Sequence, residues 1–125
     1  FSIDTANKDA DFTKCAESIT AICKDVLANG LEQGVCLNVN FPVGEIKGIK
    51  VCHQAKAYWE EEFVEYKTPH GEPYYWLSGT YHCLDNSPKA DYLAMQQSYA
   101  SIVPMQVDFT AYKVMEEIKN RFEKC

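Results

Sequence analysis

Apolar residues recur early in the chain at three- and four-residue steps. Phe12, Cys15, Ile19, Ile22, Cys23, Val26 and Leu27 fall on one helical face. The spacing predicts a helix that buries this stripe against a sheet. Asp9 or Asp11 is placed to accept the free amides at its start, and Asn29-Gly30 supplies a left-handed stop. Over Val35–Phe41 the period drops to two: Val35, Leu37, Val39 and Phe41 face one side, Cys36, Asn38 and Asn40 the other. This pattern predicts a strand, ended by Pro42. Residues 46–54 read as its neighbour, with Ile49 and Val51 sharing a face.

The middle of the chain is less regular. Residues 58–67 and 74–80 carry aromatic side chains on both faces, mixed with Glu60, Glu61 and Glu62. Between them, Thr68-Pro69-His70-Gly71-Glu72-Pro73 has turn composition, so a long hairpin over 58–80 is expected. Neither face is uniformly apolar. The hairpin is therefore expected to project from the body, with Trp59, Phe63, Tyr74, Tyr75 and Trp76 finding cover on another chain. Complete burial of such side chains contributes about 1.5–3 kcal/mol each, and an isolated hairpin is marginal. The three consecutive carboxylates alternate faces, which suits a solvated surface and not an acid–base pair.

Ser87-Pro88 has the composition of a helix start, and a short helix is expected over 91–99. Residues 101–107 are β-like, and Pro104 is expected to stop regular pairing and let the chain leave its own sheet. Asp108 or Thr110 is placed to cap a last helix over 110–123. Ala111, Met115, Ile118, Phe122 and Cys125 form a narrow apolar seam, with Lys113 and Glu117, or Glu117 and Arg121, able to pair outside it. The seam suits docking on its own domain or contact with another subunit. On the second reading Asp108, Met115, Ile118 and Phe122 are oligomer contacts.

Composition narrows the function classes. A chain of 125 residues is one domain or a piece of one, and 46% hydrophobic with 24% charged residues is a globular balance. Eighteen carboxylates against twelve basic residues give net −6. Neither duplex nucleic acid nor an anionic membrane is met by such a surface. No apolar run approaches the roughly 20 residues of a membrane span, and no signal-peptide succession is present. Phe1-Ser2-Ile3 reads like the end of a hydrophobic strand, so the start is expected to be a cut. Six cysteines are spread evenly without a CxxC, mostly within apolar patterns, so reduced thiols and a cytoplasmic setting are expected in preference to a disulfide framework. Cys52-His53 and His82-Cys83 are adjacent pairs whose members point to opposite faces of a strand, which disfavours zinc. His70, in the Pro-rich turn, is expected to be solvated.

No phosphate loop, GxSxG elbow, HExxH or EF-hand loop occurs, and no histidine has a nucleophile beside it in sequence. On residue chemistry alone this is an α/β chain with no visible active site.

A family resemblance is carried by four stretches in order. Cys36-Leu37-Asn38-Val39-Asn40-Phe41-Pro42, then Lys47-Gly48-Ile49-Lys50-Val51, resembles the LNVNxP…xKGxKV signature of the SurE survival-protein nucleotidases. Tyr75-Trp76-Leu77 with Gly79 is similar to that family's YYWxxG. The run from Asp91 through Tyr99-Ala100-Ser101-Ile102-Val103-Pro104-Met105 to Asp108-Phe109-Thr110-Ala111 is similar to its DxxAxxxGYxSITPLxxDLTA. Ser98 stands where the family usually has Gly, and Val103 where it usually has Thr.

The resemblance implies an α/β/α sandwich with a Rossmann-like sheet, of which this chain is the C-terminal half. It implies a 5′/3′-nucleotidase acting on nucleoside monophosphates with a divalent ion, magnesium or manganese. It also implies homodimers or homotetramers that exchange the hairpin and the C-terminal helix. The family's metal ligands, a paired Asp-Asp, a Ser and an Asn, lie in the half upstream of Phe1. No catalytic or metal-binding residue is therefore expected in this chain. The alternative is a folding and oligomerisation fragment without activity of its own.

Overall fold

The computed structural model describes residues 1–61 and 63–123. Glu62 of the acidic triplet and Cys125 of the helical seam lie outside the described residues. In chain order the elements are β1 (Ser2–Ile3), α1 (Ala16–Asn29, entered through a 3-10 turn at Thr13–Cys15), β2 (Val35–Phe41) and β3 (Ile49–Val51). Then follow β4 (Ala57–Glu60), β5 (Phe63–Lys67), β6 (Pro73–Leu77), β7 (Thr80–Cys83), α2 (Asp91–Gln96), β8 (Ala100–Gln106) and α3 (Tyr112–Phe122).

β1 runs parallel to β2, β8 antiparallel to β2, and β3 parallel to β8, giving the sheet order β1-β2-β8-β3. Strand alternation sorts the two faces. Val39 and Phe41 of β2 and Ala100 of β8 are buried on the α1 side, where Cys15, Ile19 and Ile22 pack with them. Val103 of β8 and Cys52, just past β3, are buried on the opposite side against Ala94 of α2. Helix, sheet and helix form three layers, the α/β/α arrangement.

Neither Asp9 nor Asp11 caps α1, whose start at Cys15 has no side-chain cap; Asp11 Oδ1 instead accepts the Thr13 amide at 2.8 Å and braces the 3-10 turn that leads into the helix. Gly30, at φ +73, ends the helix as its composition foretold. Phe12, which precedes the helix, and Cys23 and Leu27 of the expected stripe are exposed. β3 is also shorter than expected, and Ile49 and Val51 share its exposed side, while Cys52 is buried.

Ser87 and Pro104 do not act as the sequence reading expects. Ser87 does not open α2: its carbonyl accepts the Ala90 amide at 3.0 Å and its hydroxyl the Lys89 amide at 3.2 Å, closing a turn. The helix begins after Ala90, and Asp91 Oδ1 accepts the Tyr92 amide at 2.7 Å. Pro104 does not stop pairing, since Leu37↔Pro104 is followed by Cys36↔Met105 and Val35↔Gln106. The reason lies in strand direction. Ala100 donates to Gly48 and Ile102 accepts from Cys52 on the β3 side. Two residues on, Pro104 turns its missing donor to that same side, past the end of β3, where nothing needs it.

The aromatic segments form a ribbon in two pieces, β4 with β7 and β5 with β6. Glu60↔Thr80 and Phe63↔Leu77 share one register, interrupted where Glu61 (φ +57) and Gly79 (φ +128) turn the backbone. α3 begins after Ala111 with no side-chain cap, so neither Asp108 nor Thr110 occupies the cap position. Asp108 instead accepts the Thr110 amide at 2.8 Å and the Tyr112 hydroxyl, bracing the turn before the helix. Every described side chain of α3 is exposed.

Candidate functional site

The carboxyl ends of β1 and β2 and the amino end of β8 come together at one edge of the molecule. There the α2 face of the sheet carries a polar row, Ser2–Asn40–Ser101, in register across the three strands. The Ser2 hydroxyl donates to Asn40 Oδ1. Ser101 is fully buried (0% exposed), and its hydroxyl has no hydrogen-bond partner among the described residues. Lys50 extends the row across β3, donating to Gln97 Oε1 at 2.9 Å and lying 4.0 Å from the Tyr99 ring centroid.

Opposite this row stands an aromatic wall. Trp59 of β4 and Tyr81 of β7 meet edge to face at 5.4 Å, and Tyr81 and Tyr92 of α2 lie 5.0 Å apart. Between wall and row is a cavity of about 690 Å³, closed further by Met95 and the Asp4-Thr5-Ala6 segment after β1. Among the described residues, Asp4 and Asp91 are the charged side chains that line it. Asp91 also ties α2 to the chain before β4, accepting the Ala55 amide at 2.8 Å. Burial, with Cys83, Asp91 and Tyr92 nearby, pushes the Tyr81 phenol up, so it stays a neutral hydrogen-bonding group. A cavity outside the carboxyl ends of parallel strands is where α/β sheets commonly seat ligands.

The remaining titratable groups do not assemble into a reaction centre. His53 Nε2 lies 2.8 Å from Asp85 Oδ2. The Ser87 amide and the His53 ring hold the Asp85 carboxyl below its usual range. His82 Nε2 lies 2.9 Å from Glu60 Oε2, but off any hydrogen-bonding direction, and its ring stacks on Tyr58. Burial raises the thiols of Cys15 and Cys52, which makes them poor nucleophiles. Cys52 is buried while His53 is exposed, so that pair points apart. Among the described residues no three His, Cys, Asp or Glu side chains converge on a common point. These residues do not fit a divalent-metal centre.

Of the eight side chains expected to meet another subunit, Trp59 lines the cavity. Phe63 and Tyr75 share one face of the outer ribbon and Trp76 the other, all exposed. Asp108 precedes α3, and Met115, Ile118 and Phe122 lie along it, also uncovered. Sequence reasoning missed Ser2, Asn40, Ser101, Tyr81 and Tyr92. Asn40 and Ser101 do stand inside the stretches that carry the family resemblance, which was the available signal.

Comparison with known proteins gives these residues a setting. The family model for survival protein SurE matches residues 1–61. The chain is 44% identical to the 5′-nucleotidase SurE of Christiangramia forsetii over 96% of its own length and 47% of that protein's. It is 36% identical to the 5′-nucleotidase SurE 1 of Thermus thermophilus, over 98% and 49%. The crystal structure of the SurE protein from Aquifex aeolicus superposes with a TM-score of 0.68 at 35% identity, covering 93% of this chain and 48% of that one. Motifs, family model, relatives and fold agree: the chain belongs to the SurE survival-protein family and spans about half the length of the relatives it matches.

Proposed function

We propose that this chain is the C-terminal half of a SurE-type 5′/3′-nucleotidase, a phosphomonoesterase acting on nucleoside monophosphates with a magnesium or manganese ion. The observation that carries the reading is 44% identity, over 96% of the chain, to a protein named 5′-nucleotidase SurE. In this reading the chain supplies sheet, aromatic hairpin and C-terminal helix, and the metal is held by residues outside it.

Exposed surface supports a chain built to be covered. Its accessible area is 10116 Å², whereas a folded monomer of 14.2 kDa exposes about 6,800 Å². The excess is several times the roughly 800 Å² that one side of a standard interface covers. The outer ribbon and α3 contribute large apolar side chains to it. A homodimer or homotetramer that exchanges both elements covers them, and the other half of the protein covers the rest. The five cysteines among the described residues are free, which suits a reducing cytoplasm. The net charge of −6 does not suit duplex nucleic acid. Among the described residues no helix is long and apolar enough to cross a membrane.

Phosphate release from adenosine and uridine 5′- and 3′-monophosphates tests the reading. The natural protein carrying this chain is expected to release phosphate in a magnesium- or manganese-stimulated way, and the 125 residues alone are expected to release none. No release by the natural protein leaves a non-catalytic folding and oligomerisation module. Release by the 125 residues alone overturns the placement of the metal outside them.

A further inference from the structure

We propose that Asn29 is a self-acting modification site at the end of α1. When the last turn of the helix opens, the Gly30 amide nitrogen attacks the Asn29 side chain and turns the residue into aspartate and isoaspartate. The proposal is independent of the nucleotidase reading.

Sequence context singles out Asn29. Of the asparagines in the chain, it alone is followed by glycine. With no Cβ at Gly30, nothing on that residue hinders its nitrogen from reaching Asn29 Cγ. Asn7, Asn38, Asn40 and Asn120 are followed by Lys8, Val39, Phe41 and Arg121, whose side chains crowd the same approach. Ser87 follows Asn86, but its amide is donated to Asp85 Oδ1 at 2.8 Å. Asn29 is exposed, so water and base reach it.

The folded chain holds both reacting groups in place. Gly30 donates its amide to the Val26 carbonyl at 2.9 Å, and Asn29 Nδ2 donates to Asp25 Oδ1 at 2.7 Å. The first bond ties up the proton that the nitrogen must lose. The second turns the side-chain amide back along the helix, away from Gly30. Both bonds belong to the last turn, which opens more readily than the core. Opening releases the two groups together.

The step needs no reagent besides water. Gly30 N bonds to Asn29 Cγ, the Cγ–Nδ2 bond breaks, and ammonia leaves with the proton of the Gly30 amide. Water then opens the cyclic imide at either carbonyl. One opening gives aspartate. The other gives isoaspartate, whose main chain runs through the side-chain carbons.

Either product keeps the turn open. A carboxylate has no proton to donate to Asp25, and it adds a negative charge beside that residue at the negative end of the helix. Isoaspartate also lengthens the main chain, so the Gly30 amide no longer meets the Val26 carbonyl in register.

Peptide mapping by mass spectrometry tests this on the natural protein, incubated at mildly alkaline pH with and without guanidinium chloride. In denaturant Asn29 should convert faster than the other asparagines of this chain. In the folded protein it should convert at least about tenfold more slowly. Ala28→Gly, at an exposed position of the same turn, weakens the helix without touching either reacting group. It should speed conversion in the folded protein about four- to fivefold and leave the rate in denaturant unchanged. Should Ala28→Gly fail to fold, the two rates of the parent still decide. Conversion of another asparagine ahead of Asn29 in denaturant removes the site. Equal rates with and without denaturant, or an unchanged rate in folded Ala28→Gly, remove the gate, and either result overturns the proposal.

Discussion

Gly79 lies against the carbonyl of Glu60 so closely that a Cβ added to it would sit 2.6 Å from that oxygen. The contact marks the joint where the inner ribbon, β4 with β7, passes to the outer one, β5 with β6. Gly79 also holds φ +128, a conformation that side chains rarely adopt. Gly79→Ala is therefore expected to lose about 1–3 kcal/mol, from strain and from displaced backbone. Denaturant unfolding measures the loss, and near-ultraviolet circular dichroism shows whether the aromatic ribbon is what loosens. A variant as stable as the parent would show that the joint yields without cost.

Ser98 gives the converse case. It holds φ +66 just after α2, where the family resemblance has Gly. Its carbonyl accepts the Lys47 amide at 2.9 Å, so the conformation is fixed from both sides. A left-handed residue with a Cβ costs about 1–2 kcal/mol more than glycine, offset in part by glycine's greater unfolded-state entropy. Ser98→Gly should raise stability by about 0.5–1 kcal/mol, read as a higher denaturant midpoint with an unchanged slope.

Asp108 sets an acid limit on the start of α3. Hydrogen bonds from the Thr110 hydroxyl, the Tyr112 hydroxyl and the Thr110 amide hold its carboxyl down at about 2, against an ordinary 3.8. The folded state thus binds this proton less tightly than the unfolded state. Its stabilisation is complete above 3.8 and disappears as pH falls from there through about 2. Helicity of α3, followed by far-ultraviolet circular dichroism, should fall across that window. In Asp108→Asn, which has no proton to gain, that component of the acid transition should vanish.

These examples show where sequence patterns carry far and where they stop. Over Val35–Phe41 a strict period of two coincides with one buried face, so both strand and inward side were legible. Gly30 was legible as a stop because only the left-handed region required it. Pro104 misled, since whether a missing donor matters depends on which neighbour lies on that side, and only the end of β3 settles that. Ser87 misled for a similar reason, its hydroxyl and carbonyl being used by a turn three residues short of the helix. The cavity was not legible at all. Ser2, Asn40 and Ser101 are distant in sequence and meet only through strand register, and Tyr81 and Tyr92 join them from separate elements.

Thiol chemistry checks the layering directly. Cys15 and Cys52 are buried on opposite faces of the sheet, and burial raises both thiols. Cys23 and Cys36 are exposed, and Cys83 is part-buried with its thiol donating to the Asp85 carbonyl at 3.4 Å. Alkylation with iodoacetamide followed by peptide mapping should label Cys23 and Cys36 first, Cys83 more slowly, and Cys15 and Cys52 only under denaturant. Prompt labelling of Cys15 would mean that α1 does not dock as described. Resistance of all five to alkylation until a reductant is added would restore the disulfide framework.

The last prediction concerns what covers α3 and the outer ribbon. Met115, Ile118 and Phe122 repeat along one side of α3, yet Phe122 is 74% exposed. The described part of the chain does not bury this seam, so its cover comes either from the rest of its own subunit or from a second one. The two readings predict opposite outcomes for Phe122→Ala. If the ring is covered by a second subunit, truncation at this exposed position changes the stability of the separated chain by no more than about 0.5 kcal/mol. Association should meanwhile weaken by about 30-fold or more, as expected when a central aromatic anchor is lost. Sedimentation velocity across a dilution series of the natural protein reads that shift directly. The ribbon can be resolved the same way, because Phe63 and Tyr75 occupy one of its faces and Trp76 the other. Comparing Tyr75→Ala with Trp76→Ala identifies which face the partner covers. A Phe122→Ala protein that loses about 3–5 kcal/mol while its assembly survives dilution unchanged would place α3 on its own subunit, and the exchange reading would fall.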